Sequence, residues 1–153
     1  MRVFARRRGV VLAAAVLMGV AGLPVATPAA AAPPPLEWEW NDAVQVGGFP
    51  GAPDLLCSQI DYGTACFLPY GDQFYVQDGL ADGASVVAEW RVYVDGSVYR
   101  RGRCRISLGA GKVGVCNKDL PENREMEIRV RRYDGDTGLF VSPDGVWWHG
   151  STS

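Results

Sequence analysis

Between residues 86 and 94 the chain alternates strictly. Val86, Ala88, Trp90, Val92 and Val94 fall on one side of an extended strand, with Glu89, Arg91 and Tyr93 on the other. Asp95-Gly96 follows, the dipeptide that a two-residue type I′ turn favours, and Val98 and Tyr99 begin the return. A period of two over that length requires a sheet with one face on a core. Two further stretches repeat it: Leu36-Glu37-Trp38-Glu39-Trp40, and Met126, Ile128 and Val130 interleaved with Glu125, Glu127, Arg129 and Arg131. No stretch beyond residue 31 sustains a 3.6-residue apolar period, and 19 glycines with 10 prolines disfavour long helices. The expectation is an all-β chain, a small antiparallel β-sandwich or Greek-key barrel of about seven to nine short strands.

Turn chemistry divides the rest. Residues 47–53 hold three glycines and two prolines and read as loop. Residues 57–68 suit a hairpin with Asp61-Tyr62-Gly63-Thr64 at its tip, and Pro69-Tyr70-Gly71-Asp72 a turn into the strand Phe74-Tyr75-Val76. Asp78 to Gly83 contains Asp-Gly and Ala-Asp-Gly turns. Residues 103–107 and 113–117 look like an antiparallel pair joined through Gly109-Ala110-Gly111. Asp134 to Gly138 turns the chain into Leu139-Phe140-Val141, and Pro143-Asp144-Gly145 into Val146-Trp147-Trp148.

The N-terminus sets the compartment. Arg2, Arg6, Arg7 and Arg8 precede an uncharged run over residues 9–20, and small residues continue over 26–32, the three-part layout of a secretory signal. Ala29 and Ala31 at the small positions place cleavage after Ala31, with the Sec and twin-arginine routes both open. Residues 32–35 then form a Pro-rich tether, 36–149 a single β domain and 150–153 a C-terminal tail. Removing 31 of the 153 residues leaves 122, with 11 basic and 17 acidic side chains and a formal charge of −6. That charge opposes nucleic-acid binding, which draws on basic surfaces. The processed chain is expected to be a secreted monomer without a membrane span.

Cys57, Cys66, Cys104 and Cys116 are an even set in an exported chain, so they read as two disulfides. Three pairings are open. Cys57–Cys66 and Cys104–Cys116 are favoured because each brackets a turn-rich segment, each bridge contributing about 3 kcal/mol on the loop-entropy model. Zinc is disfavoured by the lack of C-x-x-C spacing and by a single histidine, His149.

That histidine also limits catalysis, since triad chemistry requires a positioned base and His149 is the fifth residue counted back from the end. Carboxylate pairs (Glu37 with Glu39, or Asp61, Asp72 and Asp82) sit mostly in turn contexts. Asp134-Gly135-Asp136 lacks the further oxygen ligands of a calcium loop, and Gly109-Ala110-Gly111-Lys112 lacks the first glycine and the hydroxyl of a phosphate loop. No catalytic residue, metal or cofactor is expected. Two surface features remain. Arg101, Arg103 and Arg105 share one side of their strand, suited either to an anionic ligand or to pairing with Glu89, Glu125 or Glu127. Trp147 and Trp148 point to opposite sides of theirs, so one joins a core with Trp38, Trp40 and Trp90 while the other stays exposed for a sugar or a protein.

Two stretches carry a resemblance. Pro69-Tyr70-Gly71-Asp72 through Phe74, Val76 and Asp78 to Ala81-Asp82-Gly83, Ser85 and Trp90 is one; Cys104 through Gly109 and Gly111 to Cys116-Asn117-Lys118-Asp119-Leu120-Pro121-Glu122 is the other. Together, over residues 64–130, they resemble a group of small secreted actinomycete proteins with no assigned activity. The resemblance implies a secreted β domain and a Cys104–Cys116 bridge, and transfers no catalytic residue. The leading expectation is a non-catalytic extracellular binding domain for a glycan, cell-envelope or protein partner. The alternatives are a protease inhibitor presenting residues 58–65, a small-molecule carrier, and a hydrolase using carboxylates alone.

Overall fold

The computed structural model describes residues 36–141 and 143–153; the signal expected over 1–31 and the tether expected over 32–35 lie outside the described residues. Among the described residues all regular structure is β, in eleven strands: β1 (Glu39–Asp42), β2 (Val44–Val46), β3 (Leu56–Ile60), β4 (Gly63–Leu68), β5 (Gln73–Asp78), β6 (Ser85–Val94), β7 (Ser97–Ile106), β8 (Val113–Asn117), β9 (Glu125–Asp134), β10 (Leu139–Val141) and β11 (Trp148–Ser151). They form two sheets. One runs β1-β7-β6-β9-β10, with β11 also on β9; the other runs β2-β8-β5-β4-β3. The sheets face each other across one core, so the molecule is a sandwich. Among the described residues no helix is long and apolar enough to cross a membrane.

The alternating run becomes β6, and its return strand is β7. Asp95 and Gly96 adopt φ of 50° and 74°, the left-handed pair that a type I′ turn demands. Asp72 takes φ of 51° after Gly71, and its amide donates to the Pro69 carbonyl at 3.2 Å. Gly138 closes the β9–β10 hairpin through its amide to the Asp134 carbonyl at 2.9 Å. The Asp134 carboxylate accepts from the amides of Asp136 and Thr137, which hold its pKa below the ordinary value.

Inside the sandwich Trp90 is fully buried and stacks on Phe74, with ring centroids 5.0 Å apart; Phe67 lies 4.8 Å beyond. Trp90 pairs across the sheet with Gly102, and the indole occupies the space in which a Cβ at Gly102 would stand. At the rim of the core, Arg100 and Lys118 approach the Trp90 ring and are held by Glu39. Burial pushes the Glu39 pKa up, but hydrogen bonds from Arg100 and Lys118 outweigh it and leave the pKa lowered.

Several expectations are corrected. Residues 103–107 and 113–117 are not paired with each other: β7 belongs to one sheet and β8 to the other. The Cys104–Cys116 disulfide therefore staples the two sheets, its Cα atoms 5.9 Å apart, while Cys57–Cys66 joins directly opposed residues of the β3–β4 hairpin. Local spacing cannot separate these cases, because a loop of 107–112 connects strands in one sheet or in two equally well. The N-terminal strand is also not antiparallel. β1 runs parallel to β7, and the chain then crosses at Ala43 to place β2 on β8. Gly114 permits that crossing, since a Cβ there would stand 2.7 Å from that of Ala43. Trp38 is half-buried and Trp40 is 38% exposed, both outside the core that Trp90 fills.

Residues 150–153 are likewise no free tail. β11 extends to Ser151 along β9, and Thr152 is buried, its hydroxyl accepting from the Arg124 amide at 2.8 Å and donating to the Pro121 carbonyl at 2.7 Å. The eleven strands exceed the expected seven to nine, and the one with no announced counterpart is β2, set apart by the break at Ala43 and carried onto β8.

Gly102→Ala tests the core directly. The Trp90 ring must shift or the strands must separate, so unfolding in urea should show a loss of about 1–3 kcal/mol, typical of overpacking. An unchanged midpoint would show that the indole has room to move.

Candidate functional site

The outer face of the six-stranded sheet carries the arginines. On central strand β6, Ser85, Val87, Glu89 and Arg91 point to this side over the stretch paired with β9. Glu89 lies opposite Arg103 on β7 and opposite Arg129 on β9. Its carboxylate is 1% exposed and receives three arginines: Arg103 Nε at 2.9 Å, Arg129 Nη2 at 2.6 Å and Arg131 Nη1 at 3.2 Å. Burial alone would raise the Glu89 pKa. Hydrogen bonds from Arg129 and Arg103, with the charges of Arg129 and Arg131, override it and hold the carboxyl below its ordinary range.

Aromatic rings fill the spaces between guanidinium groups. Trp147 lies between Arg91 at 4.3 Å and Arg129 at 4.4 Å, measured from guanidinium carbon to ring centroid. Phe140 lies between Arg131 at 3.9 Å and Arg103 at 4.7 Å, and Trp38 between Arg103 at 4.1 Å and Arg101 at 4.6 Å. Trp40 is 5.6 Å from Arg103 and 5.7 Å from Arg105, and meets Tyr133 edge to face at 5.1 Å. Each contact places a delocalised cation against the electron-rich face of a ring, a favourable pairing when partly desolvated. The result is a ladder across β1, β7, β6 and β9, closed at the far edge by β10 and the segment before β11.

Arg101, Arg103 and Arg105 thus share one side, as their alternation requires. Trp147 stands on that same side, so two features read separately in the sequence form one surface. Trp148 does not join it. It lies opposite Ile128, on the core side of the sheet at its rim, and is 49% exposed. Of the three carboxylates expected to pair with the arginines, Glu89 takes the central role. Glu127 lies 3.7 Å from Arg91 and accepts from the Tyr93 hydroxyl at 2.7 Å, with His149 at 3.4 Å. Glu125 makes no ion pair among the described residues. Asp42 and Asp144 were not singled out in the sequence; they bind Arg105 at 2.7 Å and Arg131 at 2.9 Å. Asp42 belongs to a strand whose partner the sequence does not reveal, and Asp144 reads locally as a turn residue. The alternation of Trp38 and Trp40 was the available signal for the ladder, but it does not say which face is covered by core.

The other candidate residues have structural duties. Asp72 is buried and accepts from the Leu120 amide at 2.9 Å, while the Lys118 amide donates to its carbonyl at 3.0 Å. Asp82 pairs with Arg132 at 2.7 Å and accepts from the Ala84 amide at 3.0 Å. Residues 58–65 are a hairpin turning at Asp61-Tyr62, with Ser58, Tyr62, Gly63 and Ala65 buried, so this segment presents no protruding loop. The Tyr62 hydroxyl donates to the Pro143 carbonyl at 2.6 Å, and burial followed by the nearby Asp144 charge raises its pKa to about 12. Clefts at the loop end, including one of about 450 Å³ beside Ile60, Tyr62 and Arg132, are open to solvent. No group of three or more histidine, cysteine or carboxylate side chains among the described residues is arranged to hold a metal ion. No protein-family model, curated protein or solved structure matches the chain.

Glu89→Gln removes the single anion at the centre of three cations. The arginine side chains keep 16–18% exposure and can be rehydrated, so the loss should be about 2–3 kcal/mol, below that for a fully buried pair. The sign of the pH dependence follows from the lowered pKa of folded Glu89. Its contribution is complete above the unfolded carboxylate value of 4.5 and is lost as pH falls through the folded value. Denaturant unfolding of wild type between pH 7 and pH 3 should therefore show a steeper acid decline than the Gln variant. Parallel curves would show that Glu89 is not linked to stability in this way.

Proposed function

We propose that this chain is an exported, non-catalytic binding domain whose outer arginine–aromatic face engages an anionic extracellular partner. The observation that carries the reading is charge segregation. Arg91, Arg101, Arg103, Arg105, Arg129 and Arg131 lie on this face against the five carboxylates Asp42, Glu89, Glu125, Glu127 and Asp144, a net positive face, whereas the chain beyond residue 31 has a net formal charge of −6. A local excess of cations on an acidic body orients an approaching anion toward one face and disfavours other approaches. The two disulfides fit an oxidising compartment. Export through a signal at residues 1–31, and kinship with the small secreted actinomycete group, belong to the same reading.

The other readings have less support. An inhibitor would need an exposed rigid loop, and the 58–65 hairpin is packed down. A carrier would need an apolar cavity between the sheets, a space filled by Phe67, Phe74, Trp90, Met126 and Ile128.

Two measurements address the proposal. N-terminal sequencing of the exported product should begin at Ala32; a start at Met1 would remove the signal assignment. Dextran sulfate, a model polyanion, should bind the processed protein in calorimetry at low ionic strength and bind at least about tenfold more weakly at 0.5 M salt, where screening is nearly complete. Arg91→Glu combined with Arg105→Glu should abolish that binding, and Trp148→Ala should leave it unchanged. Binding insensitive to the double reversal would place the site elsewhere.

A further inference from the structure

Resting on the proposed binding face, we infer that its ligand is an acidic polysaccharide, with a sugar ring stacked on Trp40 and an anionic substituent held by Arg103 and Arg105. Three observations converge on this position. First, Trp38 and Trp147 are each enclosed by two guanidinium groups at 4.1–4.6 Å, but the guanidinium carbons nearest Trp40 stand at 5.6 and 5.7 Å. Trp40 is also the one exposed ring among the aromatics of the ladder, at 38%. It is the ring with surface left to offer.

Second, Arg103 and Arg105 are each anchored internally through Nε: Arg103 to Glu89 at 2.9 Å and Arg105 to Asp42 at 2.7 Å. Neither makes a hydrogen bond to a protein acceptor through its terminal nitrogens among the described residues. A guanidinium fixed at Nε and open at its terminal pair is a preorganised fork for a sulfate or carboxylate, with little rotamer entropy left to lose. Third, alternate positions on β7 place the two forks on the same side of the strand, with Trp40 near both. A pyranose presents apolar C–H groups on its ring face and anionic substituents at its perimeter, which matches a platform flanked by forks.

A nucleic acid would also offer rings and anions, but it would meet the domain's acidic remainder on every side of a small face. A protein partner would also use arginine and aromatic side chains, so the polyglutamate arm of the test below stands in for an acidic polypeptide.

The test compares four polymers with the processed protein: dextran sulfate, polygalacturonate, polyglutamate and uncharged dextran. Both acidic polysaccharides should bind at least about tenfold more tightly than polyglutamate of equal charge, the difference that one stacked ring supplies, and dextran should not bind. Trp40→Ala should remove that difference while leaving polyglutamate binding unchanged, and Trp40→Tyr should retain most of it. Arg105→Lys keeps the charge but loses the fork, and should weaken dextran sulfate binding about threefold to tenfold. Thermal unfolding of each variant identifies any loss caused by misfolding, and Trp40→Tyr keeps the platform testable if the alanine form unfolds. Equal binding of polyglutamate and the polysaccharides, with Trp40→Ala silent, would overturn the sugar assignment and leave the charged-face reading standing. Absence of binding to every polyanion would overturn both.

Discussion

Strand β6 is buried on both sides, and the architecture is organised around that constraint. All six residues from Ser85 to Trp90 are buried. Antiparallel sandwiches ordinarily leave the outer side of each sheet to water. Here the inner side packs on Phe74 and the second sheet, while the outer side is roofed by arginines and aromatics reaching over from β7, β9, β1 and β10. The acid at the centre of that roof, Glu89, has to be ionised and paired, because an unmatched buried carboxylate would be far costlier than the ladder that covers it.

The same arrangement explains why the arginines are structural and still suited to binding. Arg103, Arg129 and Arg131 enclose the Glu89 carboxylate, and the Nε atoms of Arg103 and Arg105 bind Glu89 and Asp42. The terminal nitrogens of Arg103 and Arg105 are a by-product of that anchoring, presented in fixed positions. A binding surface built this way needs no mobile loop and no pocket. It lies on the sheet itself, away from the open cleft beside Ile60 and Tyr62.

Away from the face, the fold is secured where its sheets meet. The Cys104–Cys116 bridge, the Ala43 crossing over Gly114, and Ser58, which accepts from the Val130 amide and donates to the Val146 carbonyl, join elements far apart in the chain. The Pro69–Asp72 turn and the segment following Cys116 meet through Asp72 and Leu120. In this molecule those motifs hold the core together and contribute nothing to the arginine face.

What could be read from the chain alone was local. Alternation and the Asp95-Gly96 turn specify the β6–β7 hairpin, because side-chain period and left-handed φ are properties of neighbouring residues. The all-β class and the shared side of Arg101, Arg103 and Arg105 follow for the same reason, whereas the cysteine pairing is one of three the sequence allows, and its second bridge does not close the hairpin that favoured it. Tertiary structure alone decided that Trp38 and Trp40 face outward, that the second disulfide spans two sheets, that residues 150–153 complete a strand, and that Trp147 joins the arginines. Each depends on which distant strand lies alongside, and a period of two reports that a segment has two faces without saying which one meets the core.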